Sequence, residues 1–428
     1  MNLIHRIEPF RGLFYNPKLS GPLSDVIAPP YDLISPAMQE SLYARSNYNV
    51  VRIELAREPD RYVAAARTLR DWIRDGVLVR PPSPAIYLYS QRFTLDERRF
   101  ERHGFVVRIR LEEFRPGRIL PHERTFPSAK KDRLELLSAT ATNISSVFGL
   151  YDGGHPNLRE IEARVLERPP LLPVIDDLGI GNELRTIELT EEISSLQRAL
   201  ADACIFIADG HHRYETALEY RRLQREGTHD TSETSAYDYT MMTLVSCDDP
   251  GLVILPTHRV VKRLDPGASA SFARLAGENF TIEEFTDSGA FCAHLKQAHN
   301  ALGVALKGDS RLFILRLKNA SLMDKLMPTA PPVVRRLEVS VLHAAIFDRI
   351  FGIKPESVRA GGNIEYTVDT QAALRAVAAG SVDGAFLMNA PSIRDVQLVS
   401  KAGATMPEKS TYFFPKLATG LVLNPLSD

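Results

Sequence analysis

The residues best suited to chemistry lie in the run Ile205-Phe206-Ile207-Ala208-Asp209-Gly210-His211-His212-Arg213-Tyr214-Glu215-Thr216-Ala217-Leu218. An apolar stretch ends, the chain turns at a glycine, and a helical pattern begins. The first turn of a helix offers unpaired backbone N–H groups and a positive dipole end, which together attract an anion. Gly210 lets backbone come close to a ligand. His211 and His212 add ring donors, and Arg213 adds a planar fork suited to phosphate. Asp209 can hold Mg²⁺ or orient a histidine. A plain helix cap would explain Asp209 alone, but it explains the other polar residues at a buried strand end poorly. A metal site is a further reading, since His211 and Glu215 lie one helical turn apart. It lacks a third ligand nearby.

A second concentration is Pro121-His122-Glu123-Arg124, continuing through Lys130, Lys131 and Arg133. It sets a carboxylate and a histidine among four cations. Phosphoryl transfer needs such a set: a base for the acceptor hydroxyl and positive charge for the donor. A solvated charged loop is the alternative. A third, Met406-Pro407-Glu408-Lys409-Ser410-Thr411, offers Lys409, Ser410 and Thr411 to a phosphate or a substrate carboxylate. It also reads as a turn into the apolar Tyr412-Phe413-Phe414. Thr257, His258 and Arg259 follow a strand pattern and can reach the same phosphate, or serve structure alone. Asp25, Tyr31 and Asp32 flank Pro29-Pro30 and are candidates for an acceptor pocket, although aspartates beside prolines are ordinary turn formers. The phosphate loop G-x-x-x-x-G-K-S/T, a G-x-G-x-x-G after a strand, the G-x-S-x-G elbow and H-E-x-x-H are all missing from the sequence.

The elements that must position these groups follow from periodicity. Residues 61–75 predict a helix stopped by Gly76, with Val63, Ala66, Leu69 and Trp72 or Ile73 as its buried stripe. Residues 85–89 and 102–109 predict strands, with Asp96-Glu97 at a hairpin between them. Helices are expected from Asp132, over 157–168 and over 190–202, and a strand near 146–150. Residues 203–208 predict a buried strand, and 213–227 a helix ended by Gly227. Further strands are expected at 240–246, 251–256, 361–367 and 384–388, and a helix at 339–351. The fold class is α/β or α+β with a mixed sheet. The expected division is an N-terminal α/β segment (1–115), a core (116–262), an inserted subdomain (263–330) and a C-terminal segment completing the active site (331–428).

Bulk properties narrow the function. The chain has 428 residues, 44% apolar and 25% charged, with a formal net charge of -1. A packed core is feasible, and the absence of a basic surplus argues against a general nucleic-acid binder. Three scattered cysteines, with no CxxC pair, exclude a zinc ribbon or thioredoxin-like motif and fit a reducing compartment. Cys204 is expected to be buried. Neither a secretory signal nor an apolar stretch of bilayer length is visible, which reads as a cytoplasmic protein. Oligomeric state is not legible.

Two resemblances bear on these motifs. Over nearly its whole length the chain is identified as a member of the bacterial family known as domain of unknown function 1015. The matching stretches are Val26–Asp32, Asp209–Leu218, Leu255–Arg259 and Met406–Lys416. More distantly, the order Pro121-His122-Glu123, Asp209–Arg213, Pro407–Thr411 resembles free serine kinases of the SerK type, in the ParB/sulfiredoxin-like superfamily. The stretch Val382–Leu387 running to Ala390-Pro391 is also similar. That resemblance implies a ParB/sulfiredoxin-like phosphate-binding core with additional subdomains. It makes Glu123 the base, with His122 beside it as a further catalytic candidate. Asp209, His211, His212 and Arg213 would handle phosphate and Mg²⁺; Gly210, Lys130, Arg133, Thr257, His258 and Arg259 join them as phosphate or nucleotide candidates on the reading of the residues alone. Lys409, Ser410 and Thr411 would contact substrate. The implied partners are a nucleotide, ADP or ATP, and a small hydroxy compound. For serine and ADP the products are phosphoserine and AMP. The chain is longer than those kinases, and the interval from Glu123 to Asp209 is wider. A nucleotide-operated switch of the ParB kind is the alternative. Sulfiredoxin-like redox chemistry would need a cysteine in this loop, where His211 or His212 stands.

Overall fold

The computed structural model describes residues 5–426 apart from 115, 116, 126, 229–231, 233 and 361, with side chains left out at 127–129, 359 and 360. Contacts divide the chain into two compact units. The first comprises Met1–Pro121, Thr125–Val253 and Pro415–Asp428, the second His122–Arg124 and Ile254–Phe414. These units cut across the four expected segments, and the 115/116 boundary lies outside the described residues.

The first unit is built on a nine-stranded mixed sheet. Its strands run in the order Ile119–Leu120, Ile205–Asp209, Val147–Tyr151, Tyr239–Ser246, Arg98–Arg110, Ile86–Leu95, Gly181–Ile187 and Val174–Ile175, with Ile7–Glu8 pairing Arg98–Arg110 from outside that path. Two pairs are parallel, 119–120 with 205–206 and 147–151 with 242–246. The longest ladder is the hairpin 86–95/98–110. Asp96 and Glu97 turn it, both at positive φ (48° and 62°), the backbone that a tight hairpin twist requires. The strands expected at 85–89 and 102–109 are thus the centres of longer ones. Val147–Tyr151 and Ile205–Ala208 are buried throughout, so they read as continuous apolar runs rather than alternating ones.

Helices Pro156–Leu166, Thr190–Leu200 and His211–Thr228 pack onto this sheet through Leu158, Ile161, Leu196, Leu200, Tyr214 and Ala217. The helix Arg61–Arg74 forms as predicted, but its stripe is shifted. Ala64, Ala65, Ala66, Leu69 and Trp72 are buried, whereas Val63 and Ile73 are exposed. Cys204 is only half-buried. The last residues return to this unit, where Leu423 bonds Leu13 and Asn424 pairs Asn143.

The second unit is a six-stranded sheet in the order Phe280–Phe285, Leu312–Leu317, Ala301–Leu306, Gly384–Met388, His258–Val261, Ile364–Thr367. Every pairing in it is antiparallel. Helices Ser288–Gln297 and Thr370–Ala378 cover one face through Phe291, Leu295, Ala373 and Val377. The helix expected at 339–351 is a short α-helix, Glu338–Val341, followed by a π-helix, Leu342–Asp348. No described helix is long and apolar enough to cross a membrane.

Candidate functional site

The turn at Gly210 is made by three local features. Ile205–Ala208 is fully buried, which fixes where the strand ends. Pairing with Val147–Tyr151 shifts register between Ile207 and Asp209, a bulge that re-aims the Asp209 side chain. Gly210 takes φ 86°, open to glycine but costly to other residues. The 18-residue helix His211–Thr228 then begins, its first bond running from the Tyr214 N–H to the Gly210 carbonyl.

Asp209 is the electrostatic centre of this turn. Its Oδ2 accepts from Arg213 Nη2 at 2.8 Å, and its Oδ1 accepts from Lys416 Nζ. Burial works against the charge, but Lys416 and Arg213 outweigh it and hold the carboxyl well below its usual range. Two cations facing one carboxylate leave an excess of positive charge beside a helix N-terminus, a suitable setting for phosphate. The donors that fit are Arg213, Lys416 and the first-turn N–H groups. The magnesium role expected of Asp209 fits less well, because both its oxygens are engaged by cations. Among the described residues there is also no group of three His, Cys, Asp or Glu side chains placed to hold a metal.

The other expected phosphate ligands of this unit have partners. Arg213 Nη1 also donates to the Ser146 carbonyl. Lys130 pairs Glu215 at 2.8 Å, and among the described residues no third ligand joins His211 and Glu215. Arg133 is buried against Glu54 and Asp132, with its guanidinium 4.2 Å from the centre of the Tyr31 ring. A small cavity of about 40 Å³ is lined by both Arg133 and Arg213. Burial pushes the Tyr31 phenol up to about 12 although Arg213 and Arg133 oppose it, so Tyr31 lies within their field.

In the second unit His122–Arg124 and the 405–411 loop are brought together. The Met406 N–H donates to the His122 carbonyl at 2.8 Å, and His122 Nε2 meets Thr411 Oγ1 at 2.8 Å. The Ser410 N–H donates to Glu123 Oε1 at 3.2 Å, and Arg124 Nε to Thr405 Oγ1 at 3.2 Å. Ser410 Oγ donates to the Pro407 carbonyl, and Lys409 sits at φ 54°, an uncommon conformation for a residue with a side chain. Residues 123 and 410 are thus one structural feature, although 287 positions separate them.

Arg259 holds this loop from behind. Fully buried, it donates through Nη2 to the carbonyls of Glu408 (3.0 Å) and Lys409 (3.2 Å) and through Nη1 to that of Thr257. Burial lowers it to about 10, while Tyr366 and Glu123 favour its charge. It is a positioning residue rather than an exposed phosphate ligand. His258 also serves the sheet. Its Nδ1 accepts the Met388 N–H at 3.2 Å and its Nε2 meets Thr370 Oγ1 at 2.8 Å. Burial, aided by Arg259, pushes it down to about 4. It stays neutral with both nitrogens used, so it presents no free donor to an anion.

Sequence reasoning missed Lys416 as the second cation on Asp209, although it closes the stretch Met406–Lys416. It also missed Ser340 and His343, each of which leaves a buried polar atom without a partner. Neither carries a local signal, since both sit in an ordinary-looking helical run.

No curated protein matches this sequence. Among solved structures, a free serine kinase in complex with AMP is 15% identical, covering 69% of this chain and 83% of that one, with a TM-score of 0.34. SbnI from Staphylococcus aureus is 11% identical, covering 75% and 87%, with a TM-score of 0.35. A conserved hypothetical protein from Pyrococcus furiosus is 14% identical, covering 70% and 89%, with a TM-score of 0.34. Scores at this level do not carry a function across. The model of one family matches residues 7–340, and the chain therefore belongs to the family described as protein of unknown function, DUF1015.

Proposed function

We propose that the protein is a nucleotide-dependent kinase that phosphorylates the hydroxyl of a small metabolite, free serine or a related hydroxy acid, with ADP or ATP as donor. The observation that carries this reading is the fixed Glu123 carboxylate. Its Oε1 is held by the Ser410 N–H, with His122 tied to Thr411 beside it. Such a carboxylate is oriented by backbone and retains Oε2 for a substrate proton. The donor class follows from the motif resemblance to free serine kinases.

In this reading Glu123 takes the proton of the acceptor hydroxyl, and the oxygen attacks the terminal phosphorus of the donor. The bond from that phosphorus to the bridging oxygen breaks, and its electron pair leaves with AMP if the donor is ADP, or with ADP if it is ATP. Arg213, Lys416 and the helix start after Gly210 neutralise the phosphates. Rate comes from positioning and from charge stabilisation.

The test is a transfer screen. Purified protein with Mg²⁺, ADP or ATP and a panel of hydroxy amino acids and hydroxy acids is read by mass spectrometry. A phosphorylated product from the wild type, lost in both Glu123→Gln and Arg213→Ala, is the expected result. Nucleotide binding or hydrolysis with no phosphorylated acceptor would replace the kinase by a nucleotide-operated switch.

A further inference from the structure

A cavity of about 300 Å³ lies within the second unit, lined by Ser340, His343, Arg124, Thr405 and Glu408. Leu326, Met327, Val334 and Val358 supply apolar wall. Thr405 and Glu408 belong to the loop that holds Glu123, and Arg124 follows it in the chain. The cavity is therefore continuous in sequence with the proposed catalytic carboxylate, and its contacts lie in one unit.

Ser340 is 1% exposed, yet its Oγ has no hydrogen-bond partner. His343 Nε2 is likewise buried and unpartnered. Leaving such an atom unpaired is destabilising, and each one calls for an explanation. Both belong to the stretch that runs into the π-helix Leu342–Asp348, a rare geometry that recurs at functional sites. Burial pushes His343 down to about 3, with Arg259 adding to the effect, and its ring stacks on Phe347. The imidazole is neutral, and so is the serine hydroxyl. Two neutral hydrogen-bonding groups beside an apolar wall best suit an uncharged partner: a hydroxyl, an amide or a carbonyl. The charged side chains of the lining, Arg124, Asp348 and Glu408, are all more exposed than Ser340.

We infer that this cavity is the acceptor pocket, taking a small hydroxy compound with an apolar body and an uncharged hydrogen-bonding group that pairs with Ser340 and His343. This rests on the kinase reading for the word acceptor, but not for the binding itself. Serine lacks both the body and the inner group, so the preferred compound is longer than serine.

Binding is read by saturation-transfer NMR titration with three probes, L-serine, L-homoserine and 4-hydroxybutanamide, alongside an ADP titration. The amide is expected to bind the wild type more tightly than L-serine. Ser340→Ala and His343→Leu should each weaken it by about tenfold, the scale of one hydrogen bond to a buried polar group, with ADP affinity unchanged. Ser340→Ala should also leave the thermal midpoint equal or higher, because it removes an unpartnered buried hydroxyl, so a folding defect is separable from a binding one. No binding of the amide to the wild type, or equal binding in Ser340→Ala, would overturn the pocket. Loss of amide binding in the variants, with no phosphoryl transfer in the wild type, would keep the pocket and discard the kinase.

Discussion

At the scale of single residues, the Asp209 trio and the Glu123 clamp can be weighed separately from any activity. Asp209, Arg213 and Lys416 have side chains 18%, 13% and 11% exposed, so their charges are mostly removed from water. Removing one partner of such a set leaves the others uncompensated and costs about 3 kcal/mol. Asp209→Asn should lower stability by that order in urea denaturation, and adding Lys416→Met should recover part of the loss. A neutral Asp209→Asn would mean the pairs contribute nothing. His258 gives a pH dependence. Its folded value is about 4, against an unfolded value near 6.5. Above pH 6.5 both states are neutral and its contribution is fully present. As pH falls from there towards 4 only the unfolded chain takes up the proton, so stability falls, by about 2 kcal/mol at pH 5. His343 acts in the same direction. Urea midpoints at pH 7 and pH 5 should differ, and His258→Gln should shrink the difference. An unchanged difference would place the acid sensitivity elsewhere.

At the scale of elements, the strand–turn–helix at 205–228 was legible because each of its parts is local. A β-branched apolar run, a glycine and a helical period are all visible without a partner. Gly210 has a double constraint, its φ of 86° and a guanidinium 2.9 Å from where a Cβ would stand. Gly210→Ala should cost about 1–2 kcal/mol from the backbone alone and displace Arg213, weakening nucleotide binding. Gly227→Ala, where nothing lies within 4 Å of the added Cβ, should be neutral or stabilising. Equal effects at the two positions, measured by denaturation and by ADP titration, would argue against the strained turn. Other elements were hidden by buried polar residues. Strand Gly181–Ile187 buries Asn182 and Arg185, and His258–Val261 buries a histidine and an arginine, so neither shows the apolar alternation that announces a strand. The π-helix is indistinguishable from an ordinary helix in the sequence because its apolar spacing is nearly helical.

For the whole molecule, the mixed sheet and the α/β character were legible from the alternation of strand and helix patterns, and the family from stretches spread along the chain. The association of distant segments was not. Glu123 with Ser410, and Asp209 with Lys416, are separated by 287 and 207 positions, and single-sequence periodicity carries no information about such pairs. Nor was it visible that residues 122–124 leave the first unit for the second, or that Pro415–Asp428 returns. Membership of the DUF1015 family specifies no reaction, so the account stands on the carboxylate that the Ser410 backbone holds in place.

Its most direct test compares wild type and Glu123→Gln by ³¹P NMR in the presence of Mg²⁺, nucleotide and the acceptor that the screen identifies, with nucleotide affinity measured in parallel. The expected result is a phosphomonoester signal with AMP or ADP released in equal amount from the wild type, and none from Glu123→Gln, at unchanged nucleotide affinity. Transfer that persists in Glu123→Gln at the wild-type rate would contradict it.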